Sequence, residues 1–496
     1  MSSSVRVLNV THVLPDQNRA ALYSPSPQQL LPDDDSIMKL SFMDSLFVDR
    51  IMPMRRLFLY EGPGVPPFPD LVGSLQSSLA TVLAIFFPLA GKLTYRPSPG
   101  GDVVVDCSPA AVSPGVKFVE AEYAGSIDDM RRVASASSDG DEGDRDALTE
   151  LGPELDARQL PAPVIAVQVT RPGVGGGRAV VVAVAIHHAV ADGHSVWQFM
   201  RAWTAVARTE QGSAAMARLV PPTFDRTTVI RYPEADELAS KILRAIAPAL
   251  PVVRSPSSCS PPDRSRRSFL IHADEIQSVK QQIRAQTETA VAEQLETPPT
   301  PSTYVAVSSL VWTSIVRAKS RAPHLAVAGD DAYYYFLVAV DYRRRRRLGP
   351  EVNERYFGNC VVPCVARAAA RDLCGGDDAG LGIARAAAAI RDAIRAQPED
   401  PVRAMESWLD SLLAAPKERF TFTGSSNRFM AYETDFGWGA PSRVELVSLF
   451  ATELVLLVGA EDGGVQVTVT LDPVQMEGFA SNLLRVARSR ARERGI

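Results

Sequence analysis

VVVAVAIHHAVADGHSVWQF, residues Val180 to Phe199, begins as an unbroken apolar run and then sets three histidines and an aspartate within eight residues. An apolar run of this length reads as a strand buried on both faces. The apolar spacing of SVWQFMRAWTAVA, Ser195 to Ala207, predicts a helix directly after the motif. A buried strand that stops abruptly delivers its next side chain to the edge of the core, with a fixed backbone and little water. An imidazole there, with an ordinary pKa of ~6.5, stays neutral with modest help and accepts a proton at physiological pH. The end of this run is therefore a good place for a base, and its histidines are the candidates. Asp192, four residues after His188, can turn back beneath the ring, and Gly193 permits a tight bend. Two other readings stay open: a satisfied histidine at the rim of the core, and a zinc site of His188, Asp192 and His194, which lacks a companion ligand cluster. No metal is expected.

Outward from the motif, the glycines of RPGVGGGR, Arg171 to Arg178, precede a strand and open no helix, the wrong order for cradling phosphate. They read as a hairpin turn. Val5 to Val13 reads as an opening strand. Leu71, Leu75, Leu79, Val82 and Leu83 predict a helix over residues 70–87 that Pro88 ends. Further strands are expected at Gly101 to Cys107, Ala166 to Val169, Tyr333 to Val340, around Arg443 to Leu457, and at Gly464 to Leu471. Helices are expected at Ala273 to Ala285, Pro301 to Lys319 and Leu381 to Ala396. Helices and strands alternate throughout, so the fold class is α/β or α+β layering. Ala134 to Glu150 is small, polar and acidic, and reads as a surface loop. Ser255 to Ser268 reads as an exposed loop, and the proline-bearing stretch from Glu210 to Pro222 as a crossover between two halves.

The 496 residues are enough for two or more domains. A balance of 52 basic and 57 acidic residues, net −5, argues against nucleic acid or an anionic membrane as the main partner and for a small molecule. Five scattered cysteines form no disulfide framework, which points to a reduced, cytoplasmic protein. The N-terminus lacks a signal-peptide core, and no stretch is expected to reach the ~18 uncharged residues of a membrane helix.

HHAVADG resembles the HxxxD motif of the plant BAHD acyltransferases, which transfer acyl groups from coenzyme A thioesters. Asp435-Phe436-Gly437-Trp438-Gly439 matches their second signature, DFGWG. SFMDSLF, FFPLAGKL, STYVAVSSLVWTSIVRA and VEL extend the similarity nearly from end to end. Tyr356-Phe357-Gly358-Asn359-Cys360, with FDRTTVI at Phe224 to Ile230, resembles the branch acting on anthocyanins and other phenolic glucosides, many of whose members use malonyl-CoA. YFGNC reads first as a glycine turn between packed aromatics, with direct substrate contact the alternative.

The resemblance implies two chloramphenicol acetyltransferase-like domains with a central solvent channel: an N-terminal domain over 1–208, a crossover over 209–225 and a C-terminal domain over 226–496. His188 would act as the base, with Asp192 a structural aspartate paired with Arg343 of VDYRRRRRLGP. Lys280 and Thr303 match positions near the donor channel, and Ser425, Ser426 and Asn427 positions near the acceptor pocket. Asp435, Gly437 and Trp438 would support the fold. Where hydroxycinnamoyl-shikimate relatives carry tryptophan, this chain has Ser426, which argues against a shikimate acceptor. The five arginines Arg343 to Arg347 read as a solvated turn, an attraction for coenzyme A phosphate, or a nucleic-acid patch. DFG without a glycine-rich loop, a β3 lysine or an HRD segment is no kinase signature.

The expected function is acyl transfer from acyl-CoA, malonyl-CoA favoured, to a sugar hydroxyl of a phenolic glycoside, by a monomer with no tightly bound cofactor. The alternatives are a hydroxycinnamoyl- or acetyl-CoA transferase on an alcohol or amine, and a non-catalytic ligand-binding protein of the same fold.

Overall fold

The computed structural model of the protein describes residues 3–23, 36–48, 53–97, 101–135, 147–175, 178–212, 219–226, 234–253, 264–290, 300–320, 332–343, 354–375, 379–414, 416–447 and 453–487. Most of the acidic segment, Arg344 to Arg347, residues 227–230 of FDRTTVI and part of each expected crossover and loop fall outside them.

The strands are β1 (Val5–Val13), β2 (Ile37–Lys39), β3 (Met54–Glu61), β4 (Lys92–Arg96), β5 (Asp102–Asp106), β6 (Val116–Tyr123), β7 (Ala162–Pro163), β8 (Ile165–Pro172), β9 (Ala179–Ile186), β10 (Ser265–Ile271), β11 (Tyr333–Asp341), β12 (Val361–Ala369), β13 (Phe420–Thr423), β14 (Arg443–Val447), β15 (Leu454–Gly459) and β16 (Val465–Leu471). They belong to two compact units, and the units interleave along the chain. The first joins Met1–Cys259 to Asp341–Val361 and Ala431–Phe450; the second joins Ser260–Val340 to Val362–Met430 and Ala451–Ile496. The returning segments, with YFGNC and DFGWG, thus lie with the first unit, although a single cut at 209–225 assigns them to the second half.

The first unit holds a six-stranded sheet in the order β1-β6-β8-β9-β3-β14 and a smaller sheet, β2-β5-β4-β7. The apolar run is β9, central in the large sheet, and all eight of its residues are buried. Cover on both faces explains this. Val181 and Ala183 join Met130 and Val133 of the helix Ile127–Ser135 on one face. On the other, Phe58 of β3 meets Trp197 of the helix Gly193–Glu210 edge-on, with ring centroids 5.9 Å apart. β8 and β9 pair antiparallel, Ile165 opposite Ile186 and Thr170 opposite Val181, so the glycine-rich segment joins a hairpin.

The helix expected over 70–87 runs Phe68–Ile85 and buries Leu71, Leu75, Leu79, Val82 and Leu83. It ends before Pro88, which belongs to the 3-10 turn Phe87–Ala90, because a proline disfavours helical geometry in the residue ahead of it. Residues 71–91 carry no charge, and this helix is long and apolar enough to cross a membrane, which corrects the expectation that no stretch approaches that length. Here its leucine stripe is buried in the core, at ~1.5–3 kcal/mol per fully buried side chain.

The second unit holds the sheet β10-β16-β15-β13-β11-β12. Its central helix, Thr303–Ser320, is buried from Val305 to Lys319 and packs against Ala273–Ala290, Ala379–Ala396 and Pro473–Ala487. The strands expected around Arg443 to Leu457 form in different sheets: β14 pairs with β3 in the first unit, β15 with β16 in the second.

Candidate active site

His188 comes directly off the end of β9. The tandem histidines divide the work. His187, 3% exposed, accepts the Ala189 N–H at Nδ1 (3.2 Å) and caps the turn His188–Val190; burial, then the neighbouring His188, lowers its pKa to about 3. His188 is only half-buried, and its ring lies flat on Phe47, centroids 3.8 Å apart and planes at 6°.

The His188 Nδ1 lies 3.2 Å from Asn359 Oδ1, and hydrogen-bond chemistry fixes the proton. Asn359 Nδ2 sits 2.9 Å from Asp44 Oδ1 and 2.8 Å from the His188 carbonyl oxygen, two groups that accept. The Asn359 amide therefore donates to both, its oxygen faces the imidazole, and Nδ1 must carry the hydrogen. The lone pair of the neutral ring is left on Nε2. Burial lowers the His188 pKa to about 4; the Asp192 charge and the Asn359 bond oppose the fall, and the Arg56 charge adds to it. At neutral pH the ring is an unprotonated base.

Asp44 anchors this arrangement. It closes a capping box with Ser41 on the short helix Phe42–Ser45, and it also accepts from the Asn359 N–H (2.9 Å) and Arg226 Nε (3.3 Å). Neither Asp44 nor Phe47 stood out in the sequence beyond their place in SFMDSLF. The available signal was S-x-x-D ahead of an apolar pair, a capping-box pattern.

Among the described residues, no hydrogen bond joins the Asp192 side chain to His188. Its carboxylate caps the helix Gly193–Glu210 through the Ser195 N–H (2.9 Å), accepts the Cys360 N–H (3.0 Å) and takes both Arg343 Nη1 (2.8 Å) and Nη2 (3.0 Å). Burial alone would raise its pKa; Arg343 and the backbone donors hold it below the usual range. Gly193 is the first residue of that helix. The pair is almost dry, with 1% and 2% of the side chains exposed, and Arg343 Nη2 also donates to Ser195 Oγ (3.1 Å) and the Gly358 carbonyl (2.9 Å). The Tyr356 ring lies between Arg343 and Arg226, each guanidinium 5.6 Å from its centroid. A Cβ on Gly358 would come within 2.8 Å of Arg226 Nη2 and of the Tyr356 hydroxyl, which demands glycine there. YFGNC is thus a packed turn, with Phe357 edge-on to Phe86 at 5.3 Å, and its asparagine reaches the imidazole.

DFGWG forms a separate turn. Asp435 Oδ1 accepts the N–H groups of Gly437 (2.7 Å), Trp438 (3.0 Å) and Gly439 (2.9 Å), and Trp438 packs edge-on against Tyr60 at 5.4 Å. Within the second unit, Lys280 Nζ donates to Thr303 Oγ1 (3.0 Å), so the two expected donor-side residues meet. Ser425 Oγ bridges the Leu457 N–H and carbonyl, both at 2.7 Å, and thereby ties the end of β13 to β15. Ser426 Oγ accepts the Arg428 N–H at 3.3 Å, a turn contact. Asn427 Oδ1 is buried with no partner among the described residues.

A model of the family described as the Transferase family matches residues 26–485. The chain belongs to the BAHD acyltransferase family. This BAHD protein is 26% identical over 495 residues to phenolic glucoside malonyltransferase 1 of Arabidopsis thaliana, with 96% of each chain covered. It is 25% identical over 470 residues to the malonyl-coenzyme:anthocyanin 5-O-glucoside-6'''-O-malonyltransferase of Salvia splendens, with 90% of each covered. The crystal structure of vinorine synthase matches it with a TM-score of 0.65 at 19% identity, over 97% of this chain and 98% of that one. The BAHD protein therefore has the α/β, two-domain, chloramphenicol acetyltransferase-like fold and is an acyl-CoA-dependent acyltransferase.

The Asn359 contact yields a test. Asn359→Leu removes the acceptor that selects the Nδ1–H tautomer, so kcat should fall roughly 10- to 100-fold, the equivalent of one buried hydrogen bond at ~1–3 kcal/mol. KM for either substrate should change little. Steady-state kinetics over both substrates checks this; a KM effect with unchanged kcat would make Asn359 a binding residue instead.

Proposed function

We propose that this acyltransferase moves a malonyl group from malonyl-CoA to a sugar hydroxyl of a phenolic or flavonoid glucoside, with His188 as general base. The observation that carries the reading is the fixed imidazole: Nδ1–H is committed to Asn359, Nε2 keeps its lone pair, and burial keeps the ring neutral. Nε2 takes the proton from the sugar hydroxyl as that oxygen attacks the thioester carbonyl. The C–O bond forms, the tetrahedral intermediate expels the coenzyme A thiolate, and the imidazolium returns the proton to sulfur. The products are the malonyl ester and free coenzyme A. General-base help of this kind contributes typically ~10²–10⁴-fold, and holding alcohol and thioester together supplies much of the rest. Lys280 and Thr303 are assigned to the donor side, and Ser425, Ser426 and Asn427 to the acceptor side. The malonyl donor and the glucoside acceptor are supported by the names of the two malonyltransferase relatives over nearly the whole chain.

The test is incubation of the pure enzyme with malonyl-, acetyl- and p-coumaroyl-CoA and a panel of phenolic glucosides, with product masses as the readout. A mass gain of one malonyl group on the glucoside, with malonyl-CoA the best donor, is the expected result. A product from p-coumaroyl-CoA alone would replace the donor assignment, and no product with any donor would favour a ligand-binding protein.

A further inference from the structure

Three arginines are buried around the imidazole turn, and two of them are neutralised. Arg343 faces Asp192 at 2.8 Å and Arg226 faces Asp44 at 3.3 Å. The third, Arg56, is 2% exposed and faces no carboxylate within ion-pair distance among the described residues. Its Nη1 donates to the neighbouring Arg55 carbonyl (3.0 Å), and its buried Nε has no partner among the described residues.

The sheet places this side chain. Leu57 and Leu59 of β3 join the apolar cluster with Val181 and Ala183, so strand alternation turns Arg56, Phe58 and Tyr60 to the opposite face. That face carries the helix Gly193–Glu210, which Phe58 meets through Trp197. Arg56 stands opposite Val184 of β9, four residues before His188, and opposite Leu446 of β14. Its charge is felt at the His188 ring, where it opposes protonation. Burial lowers the Arg56 pKa to about 10, which still leaves it charged at neutral pH. An unpaired cation in a dry interior is costly, and an arriving anion would offset that cost.

We propose that Arg56 is the receptor for the free carboxylate of a dicarboxylic acyl-CoA donor, malonyl-CoA first among them. This rests on the malonyl-transfer reading above. In a malonyl thioester the carboxylate is one methylene from the reacting carbonyl, so the cation that receives it must lie beside the base. A guanidinium offers the planar pair of N–H groups that a carboxylate accepts in bidentate fashion. No covalent step is added: Arg56 selects the donor, and the transfer proceeds as described.

The experiment compares wild type, Arg56→Met and Arg56→Lys for kcat/KM with malonyl-CoA and with acetyl-CoA against one phenolic glucoside. Thermal melting is recorded for each protein with and without free malonate. The malonyl-over-acetyl preference should fall roughly 100-fold in Arg56→Met, as expected for loss of a charge-assisted hydrogen-bond pair, and partly return in Arg56→Lys. Arg56→Met should melt no lower than wild type, because it removes an uncompensated buried charge, and malonate should raise the melting temperature of wild type but not of Arg56→Met.

An unchanged donor preference, or parallel losses with both donors, overturns the assignment and leaves the malonyl reading standing. Wild type that transfers acetyl but no malonyl overturns the functional reading itself; the malonate shift then decides whether Arg56 binds a carboxylate at all. If Arg56→Met does not fold, Arg56→Lys decides: an unaltered preference and malonate shift in it would count against the assignment.

Discussion

His188→Ala should lower kcat by at least ~10²–10⁴-fold with both substrates saturating, while the protein folds as before. The size follows from the proposed role of Nε2 as general base, and the alanine keeps the turn, because the capping bond belongs to His187. What the substitution removes from the fold is a stacking contact with Phe47 and one bond to Asn359, in a ring that is only half-buried. Initial rates by product mass, alongside a thermal melt, make the check. A variant within tenfold of wild-type kcat would place the base elsewhere.

The largest expected stability effect lies behind the imidazole. Arg343→Gln strands the Asp192 carboxylate, and breaking one partner of a dry ion pair costs ~3–5 kcal/mol. Asp192→Asn strands the guanidinium and should cost a similar amount, whereas the double variant should cost clearly less than the sum, the signature of a direct pair. The pH dependence has a definite sign. Asp192 has a folded pKa depressed below its unfolded value, so its contribution is complete above the ordinary aspartate range and is lost as pH falls through the depressed value. Urea unfolding of the two single variants and the double variant measures the coupling; additive losses would mean that the two side chains act independently.

Much of the site was legible because its signal is local. The run Val180 to Ile186 is apolar at every position, which only a strand covered on both faces tolerates, and the histidines follow it without a break. The Asp192–Arg343 pair was reachable through the family resemblance and not through spacing, since 151 residues separate its members. Asn359 was visible only as one letter of YFGNC, because its contacts lie 171 residues away at His188 and 315 away at Asp44. The four-residue spacing did not reveal that Asp192 is the helix N-cap, where its carboxylate accepts a backbone N–H.

Arg56 had a faint local signal. In MRRLFLY it occupies a position of a strand whose other members on that face are Met54, Phe58 and Tyr60, where a charge is out of pattern. The unit boundaries lie elsewhere in the chain: it returns to the first unit at Asp341–Val361 and Ala431–Phe450, and strand pairing over hundreds of residues, such as β14 with β3, brings it back.

A neutral His188 with its proton on Nδ1 and its lone pair on Nε2 is observable by ¹⁵N NMR of imidazole-labelled protein, with His188→Ala assigning the resonance. At pH 7 a protonated Nδ1 and a bare Nε2 are expected, with the second proton added only as pH falls to about 4. A proton found on Nε2 at pH 7, or titration near the ~6.5 of a free imidazole, would contradict it.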